Sequence, residues 1–318
     1  MTAVTESHYK DLPSVAIEND TLRAEFVVPG ARMVSLFHKQ LKHEFVFQQS
    51  SQEYIRGHYD NAMVKEQSAG YDDMFPTIDA CYMEEFPWQG IRLPDHGELW
   101  SLDWEVEKLA GSLGFSIHGV RLPYKLTRRV SLAAGNRLRL AYVLENLSPF
   151  EMPYLWSSHP MFRPEPGARI LLPPECKAAT VGLSHGGRLG RYGDRITWPH
   201  WTDAQGKAHD LSLLRSGKVD DAEAYYFTEP LSEGWCALEL PSLSCQVRLS
   251  FPTDRVPFLG VVVGEGLRDD PRFYLLLEPC SAPLARLDFS RRYAPRSRLP
   301  ARGTHEWYLD FEILGHLS

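Results

Sequence analysis

From Arg137 to Asn146 the chain reads RLRLAYVLEN, with Leu138, Leu140, Tyr142 and Leu144 separated by Arg139, Ala141 and Val143. A period of two lays one face of an extended chain on a core and turns the other toward solvent. Gly135-Asn136 supplies the turn ahead of it. The pattern returns elsewhere. IENDTLRAEFVVPG predicts a short strand, a polar turn at Asn19-Asp20, a second strand carrying Leu22, Ala24 and Phe26, and a break at Pro29-Gly30. GWCALELPSLSCQVRLSFP, RFYLLLEP and the closing HEWYLDFEIL predict further strands. No long segment keeps the i, i+3, i+4, i+7 spacing of an amphipathic helix. Glycine and proline, 23 of each, punctuate the chain as a many-stranded antiparallel protein requires. The expected fold class is all-β, with few or no helices. With no linker, repeat or low-complexity tract, residues 1–318 read as a single domain.

Two segments break the rhythm. Residues 53–90, ending in GYDDMFPTIDACYMEEFPWQG, and 184–216, rich in Gly, His and Asp, are long for connections between short strands. Excursions of this kind are usually binding loops or lids. They are expected to flank a ligand groove, with Tyr71, Phe75 or Trp88 as its aromatic wall.

Composition narrows the partners. Hydrophobic residues make up 43% of the chain and charged residues 24%, ordinary for a globular protein with a sizeable core. With 34 basic and 41 acidic residues, a net charge of −7 and no basic run, nucleic acid is an unsuited partner. The polar start, MTAVTESHYKDLPSVAIEND, lacks a signal-peptide layout, and no apolar run approaches the ~20 residues of a membrane helix. Cys81, Cys176, Cys236, Cys245 and Cys280 are scattered without a CxxC pair, which fits reduced thiols rather than disulfides or zinc. The expected location is cytoplasmic. Aromatics at 12% fit either a β core or a platform for sugar rings.

Three stretches set ionisable residues beside a proline or glycine. In LPDHGELW, His96 follows Pro94 and precedes Gly97, a residue that lets backbone or ligand come close. In YLWSSHPMF, Pro160 removes a backbone donor and biases His159 toward extended geometry at a strand end. In YLLLEPC, Glu278 ends an apolar run, where desolvation would raise its pKa and suit it to general-base work. Singly, each is open to a structural explanation. Together they suggest a site. No GxGxxG at a strand–helix junction and no His-rich metal spacing accompanies them, so no cofactor or metal is expected. His58, His118, His185, His200 and His209 read as surface or structural.

The succession PDHGELW, LWSSHPMF and LLLEPCSAPLA resembles the aldose 1-epimerase (galactose mutarotase-like) family, and the similarity runs over nearly the whole chain. The resemblance implies a large antiparallel β-supersandwich with a sugar groove across one sheet. It implies His159 as the general acid that protonates the ring oxygen. Glu278 would be the general base at the C1 hydroxyl, and His96 would hold and polarise the sugar. A family aspartate that bonds sugar hydroxyls precedes the AYYFTEPL strand, which points to Asp220 or Asp221. Asp73 in GYDDMFPTI and Trp156 in LWSSHPMF are further substrate-binding candidates. The implied protein is a monomer or homodimer acting on a small aldose without cofactor.

Two departures leave the sugar open. The arginine–asparagine motif that typical galactose mutarotases carry ahead of the first histidine is missing. Relatives acting on hexose 6-phosphates often place an arginine shortly after HG, where this chain has Glu98 and Trp100. Arg92, Lys65 and Arg56 are the basic residues a phosphate could use. Two rival functions share the pattern. A β-sandwich glycoside hydrolase or lyase would need a second carboxylate (Asp73, Asp95 or Glu98) beside Glu278. A non-catalytic carbohydrate-binding module would keep the fold without turnover.

Overall fold

A computed structural model describes residues 2–133, 135–289 and 297–315. Nearly all of them are antiparallel strand; helix is confined to short turns such as Leu99–Ser101 and Pro241–Leu243. No helix among the described residues is long and apolar enough to cross a membrane. The predicted alternation at 137–146 is realised in strand Arg137–Asn146, where Leu138, Leu140, Tyr142 and Leu144 are buried. The polar turn forms where Asn19 Oδ1 accepts the N–H groups of Thr21 and Leu22, each at 2.8 Å. At the Pro29-Gly30 break Gly30 has φ +67°, and a Cβ there would lie 2.6 Å from the Trp100 carbonyl oxygen. Only glycine fits.

The strands form two large sheets. The twelve-stranded sheet runs, by spatial neighbour, Ala3–Tyr9, Leu12–Glu18, Leu22–Val27, Met33–His38, Tyr71–Met74, Ser157–Phe162, Phe273–Cys280, Phe258–Glu265, Asp221–Phe227, Ala178–Ser184 and Arg195–Thr197; His43–Glu44 pairs off this path with Met33–His38. The eight-stranded sheet runs Arg169–Leu171, Trp235–Leu240, Cys245–Ser250, Thr304–Gly315, Arg137–Asn146, Tyr124–Ala133, Ser112–His118 and Glu105–Leu109. Their inner faces meet in one apolar core, with Phe26 on Phe115, Tyr71 on Phe311, and Trp156 on Tyr142 and Trp307. This is a β-sandwich.

One cation is sealed in that core. Arg128 is fully buried, donates to Asp73 at 2.7 Å and to the Ala31 carbonyl, and lies within 5.0–5.9 Å of the rings of Phe115, Trp104, Phe26 and Tyr71. Aromatic faces and a carboxylate together offset the loss of water around the guanidinium. The outer face of the larger sheet carries the candidate site. All five cysteines are buried as free thiols.

Candidate active site

Register brings the reactive groups together. Strand Tyr71–Met74 pairs with Ser157–Phe162 so that Asp72 faces His159. The pairs Ser157↔Cys280 and Met161↔Leu276 set His159 level with Glu278 on the next strand. Glu278 is then opposite Gly260, and Gly260 opposite Tyr226. One row across five strands thus reads Asp72, His159, Glu278, Gly260, Tyr226, all on one face because side chains alternate along each strand.

His159, Glu278 and Tyr226 of this row floor a cavity of about 410 Å³ that His96 and Asp79 also line. His159 Nδ1 lies 2.8 Å from Asp72 Oδ1, and its Nε2 lies 4.0 Å from Glu278 Oε1. Asp72 also pairs with the buried Arg32. Burial pushes the Asp72 carboxyl up, but the Arg32 guanidinium and the His159 hydrogen bond hold it well below the usual carboxylate range. An ionised carboxylate only accepts, so Nδ1 of His159 carries a proton and Nε2 is the nitrogen free to exchange one with the cavity.

Glu278 is buried and has no hydrogen-bond partner among the described residues. Desolvation raises its pKa to about 8, with His96 opposing and Asp79 and Asp72 adding to the rise. Burial lowers the pKa of His159 against the pull of Asp72. The ordinary order of the two is therefore inverted, with Glu278 the stronger proton acceptor. Gly260 makes the room: a Cβ there would stand 3.0 Å from Glu278 Oε2 and 2.9 Å from the Tyr226 ring.

His96 reaches the cavity by a sharp turn. His96 and Gly97 both have left-handed backbones, φ 56° and 70°, and a Cβ on Gly97 would lie 2.1 Å from the Phe75 carbonyl oxygen. The glycine answers a close backbone approach rather than a ligand. The turn sets the His96 ring 5.5 Å from that of His159, edge to face. Burial pushes His96 down, yet the Asp95 hydrogen bond at 2.8 Å, with the charges of Asp95, Asp72 and Glu278, leaves its pKa raised.

Other expectations need correction. Asp73 and Trp156 face the inter-sheet core. Asp73 is fully buried and accepts from Arg128, Tyr71 Oη at 2.7 Å and Trp156 Nε1 at 3.0 Å, so neither residue reaches the cavity. Asp221 lies on the opposite face of its strand from Tyr226, bound to Arg215 at 2.9 Å and the Gly186 N–H at 2.9 Å. Asp220 accepts the Arg268 N–H at 3.0 Å. Tyr71, Phe75 and Trp88 are buried away from the cavity; its aromatic lining is Tyr226, Tyr274 and Tyr192. Both long segments do contribute lining, Met63 to Asp79 from the first and Tyr192 from the second.

Of the phosphate candidates only Lys65 lines the cavity, since Arg56 pairs with Asp103 and Arg92 with Asp60. Glu98 is sealed by Tyr59, Tyr124 and two backbone N–H groups, and Asp95 is occupied by His96 and the Met63 N–H. His58, His118, His185 and His200 are exposed, and His209 is held by Asp203 at 2.8 Å. Sequence reasoning passed over Asp72, Asp79, Tyr226 and Gly260. Asp72 was one residue away, and only strand parity could have chosen it over Asp73.

No protein-family model matches the sequence, and no curated protein matches it either. Solved structures do. A protein from Synechocystis sp. PCC 6803 is 16% identical with TM-score 0.68, over 98% of this chain and 99% of that one. A galactose mutarotase-like protein from Lactobacillus casei ATCC 334 is 17% identical with TM-score 0.67, over 94% and 99%. A protein from Klebsiella pneumoniae subsp. pneumoniae MGH 78578, provisionally described as an aldose 1-epimerase, is 12% identical with TM-score 0.71, over 99% and 84%. Likeness at this identity carries the fold alone: a galactose mutarotase-like β-sandwich.

Proposed function

On the premise of that fold, we propose that this chain interconverts the α and β anomers of an aldose by acid–base ring opening at C1 and O5. One observation carries the reading. A carboxyl and an imidazole nitrogen, neither hydrogen-bonded to a described residue, face each other 4.0 Å apart in a cavity. Opening the ring requires that the C1 hydroxyl lose a proton as O5 gains one. Glu278 takes the first and His159 Nε2 supplies the second; the C1–O5 bond breaks and an open-chain aldehyde forms. Rotation about C1–C2 presents the other face of the aldehyde. Reclosure returns each proton along the same path and yields the other anomer.

The protonation environment suits this exchange. A buried glutamate with pKa near 8 is a strong base once ionised, and an imidazole pushed down by burial is a strong acid once charged. Near neutrality the pair holds one exchangeable proton, which rests on Glu278; ring opening proceeds from the form in which that proton has passed to His159 Nε2. His96, with its raised pKa, donates to a sugar oxygen beside them. The hydrolase reading loses the three second carboxylates that the sequence offered it, because Asp73, Asp95 and Glu98 are each committed elsewhere.

NMR exchange spectroscopy of anomeric protons across free and phosphorylated aldoses tests the proposal. Accelerated exchange of at least one aldose is expected, unchanged by a chelator. Exchange at the uncatalysed rate for every sugar, or reducing sugar released from an oligosaccharide, would overturn it.

A further inference from the structure

The cavity wall holds a carboxylate that the ring-opening chemistry does not use. Asp79 lies in the first long segment and lines the same cavity as Glu278, His159 and His96. Its backbone is fixed: its N–H donates to the Ala285 carbonyl at 2.8 Å, and its carbonyl accepts the Thr77 hydroxyl at 2.9 Å. Its carboxylate makes no hydrogen bond or ion pair with any described residue, and it is open to solvent. Its charge adds to the rise in the pKa of Glu278 and of Tyr226, and that of His96 lowers its own.

The cations of the lining are in the opposite condition. Arg272 gives Nε and Nη2 to the two oxygens of Asp270, both at 2.6 Å, and Nη1 to the carbonyls of Lys65 and Ser68. Its flat face lies against the rings of Phe47 and Tyr274. The Lys65 ammonium is bound to the Asp269 carbonyl. Among the described lining residues there is thus one uncommitted carboxylate outside the reacting pair and no uncommitted guanidinium. A phosphate needs donors from Arg, Lys or backbone N–H groups. A sugar hydroxyl needs an acceptor, and an ionised carboxylate is the strongest available.

We propose that Asp79 is the specificity-determining residue of this cavity, accepting the hydroxyls of an uncharged aldose and repelling sugars that carry a phosphate. This rests on the reading above only in taking the ligand to be a sugar. Partial desolvation by the cavity wall raises the Asp79 pKa, His96 opposes and Asp95 adds to the rise, so hydroxyl donors would stabilise its charged form.

The test separates binding from turnover. Aldohexoses and their 6-phosphates are compared for anomer exchange, and methyl glycosides, which cannot mutarotate, are titrated by NMR for binding alone. The wild type should favour the free sugar over its 6-phosphate by about tenfold or more, the scale of one charge-assisted hydrogen bond. Asp79→Asn and Asp79→Ala should weaken methyl glycoside binding and raise KM by about tenfold, with kcat changing less. Discrimination against the 6-phosphate should narrow, and the melting temperature should stay put because the carboxylate is exposed. Preference of the wild type for the 6-phosphate, or glycoside binding unchanged in both variants, would overturn the proposal. Binding that depends on Asp79 without any anomer exchange would uphold Asp79 while removing the epimerase reading. Failure of every sugar to bind would remove both.

Discussion

The imidazole of His159 is held at one nitrogen and open at the other. Asp72 fixes Nδ1, leaving Nε2 aimed toward Glu278. His159→Asn is expected to keep the fold and much of the sugar affinity while anomer exchange falls by about 10²- to 10⁴-fold. Glu278→Gln should do the same, and the double variant should lose little more, since both act on one transfer. A structural histidine would instead lower the melting temperature and leave exchange per folded molecule intact. Glu278 also makes stability depend on pH. The folded protein keeps its proton up to about pH 8, whereas an unfolded chain releases it in the ordinary glutamate range. The stability this group contributes is full below that range and declines as pH rises to about 8. Glu278→Gln cannot ionise, so its melting temperature should gain on the wild type as pH climbs through that window; thermal melts from pH 5 to 9 measure it.

Neighbouring positions on a strand can have unrelated tasks. Asp72 points to the side of the sheet that carries the cavity, where it holds His159, and Asp73 points to the core, where it balances the sealed charge of Arg128. Removing one partner of such a buried pair costs about 3–5 kcal/mol. Asp73→Ala should therefore lower the melting temperature strongly while leaving exchange per folded molecule near wild type; lost exchange in a fully folded variant would put Asp73 in the site after all. Gly260→Ala should behave in the opposite way, hurting turnover more than stability, because its Cβ would press on Glu278 and Tyr226. The strands themselves were legible, since alternation is a local property and the chain obeys it from Leu138 to Leu144. His159, Glu278 and His96 were legible as positions because a proline or glycine follows each. Parity and register were not. They are set by pairing between segments far apart in sequence, so nothing local separated Asp72 from Asp73. Nor could Asp221 be seen to answer Arg215 and Arg188. Aromatic residues look alike in a core and in a pocket, so the sequence alone does not separate Trp156 and Phe75, which are buried away from the cavity, from the Tyr226 and Tyr274 that line it.

At the scale of the molecule, the site belongs to the outer face of one sheet and to the long segments beside it. Its floor draws on strands that begin at Tyr71 and end at Cys280, none consecutive with its partner across the His159 row until Phe258–Glu265 meets Phe273–Cys280. That row has a consequence for how the protein comes to life. No fragment, and no partly assembled chain missing one of those strands, can contain it. Pairings between residues so distant in sequence form slowly, because loop closure precedes any gain from contact. Hairpins such as Arg137–Asn146 with Tyr124–Ala133 need only a short turn and can form early. On dilution from denaturant, circular dichroism should recover ahead of anomer exchange, with the delay marking the moment the middle of the large sheet closes. Activity then serves as a clock for the last long-range step of folding.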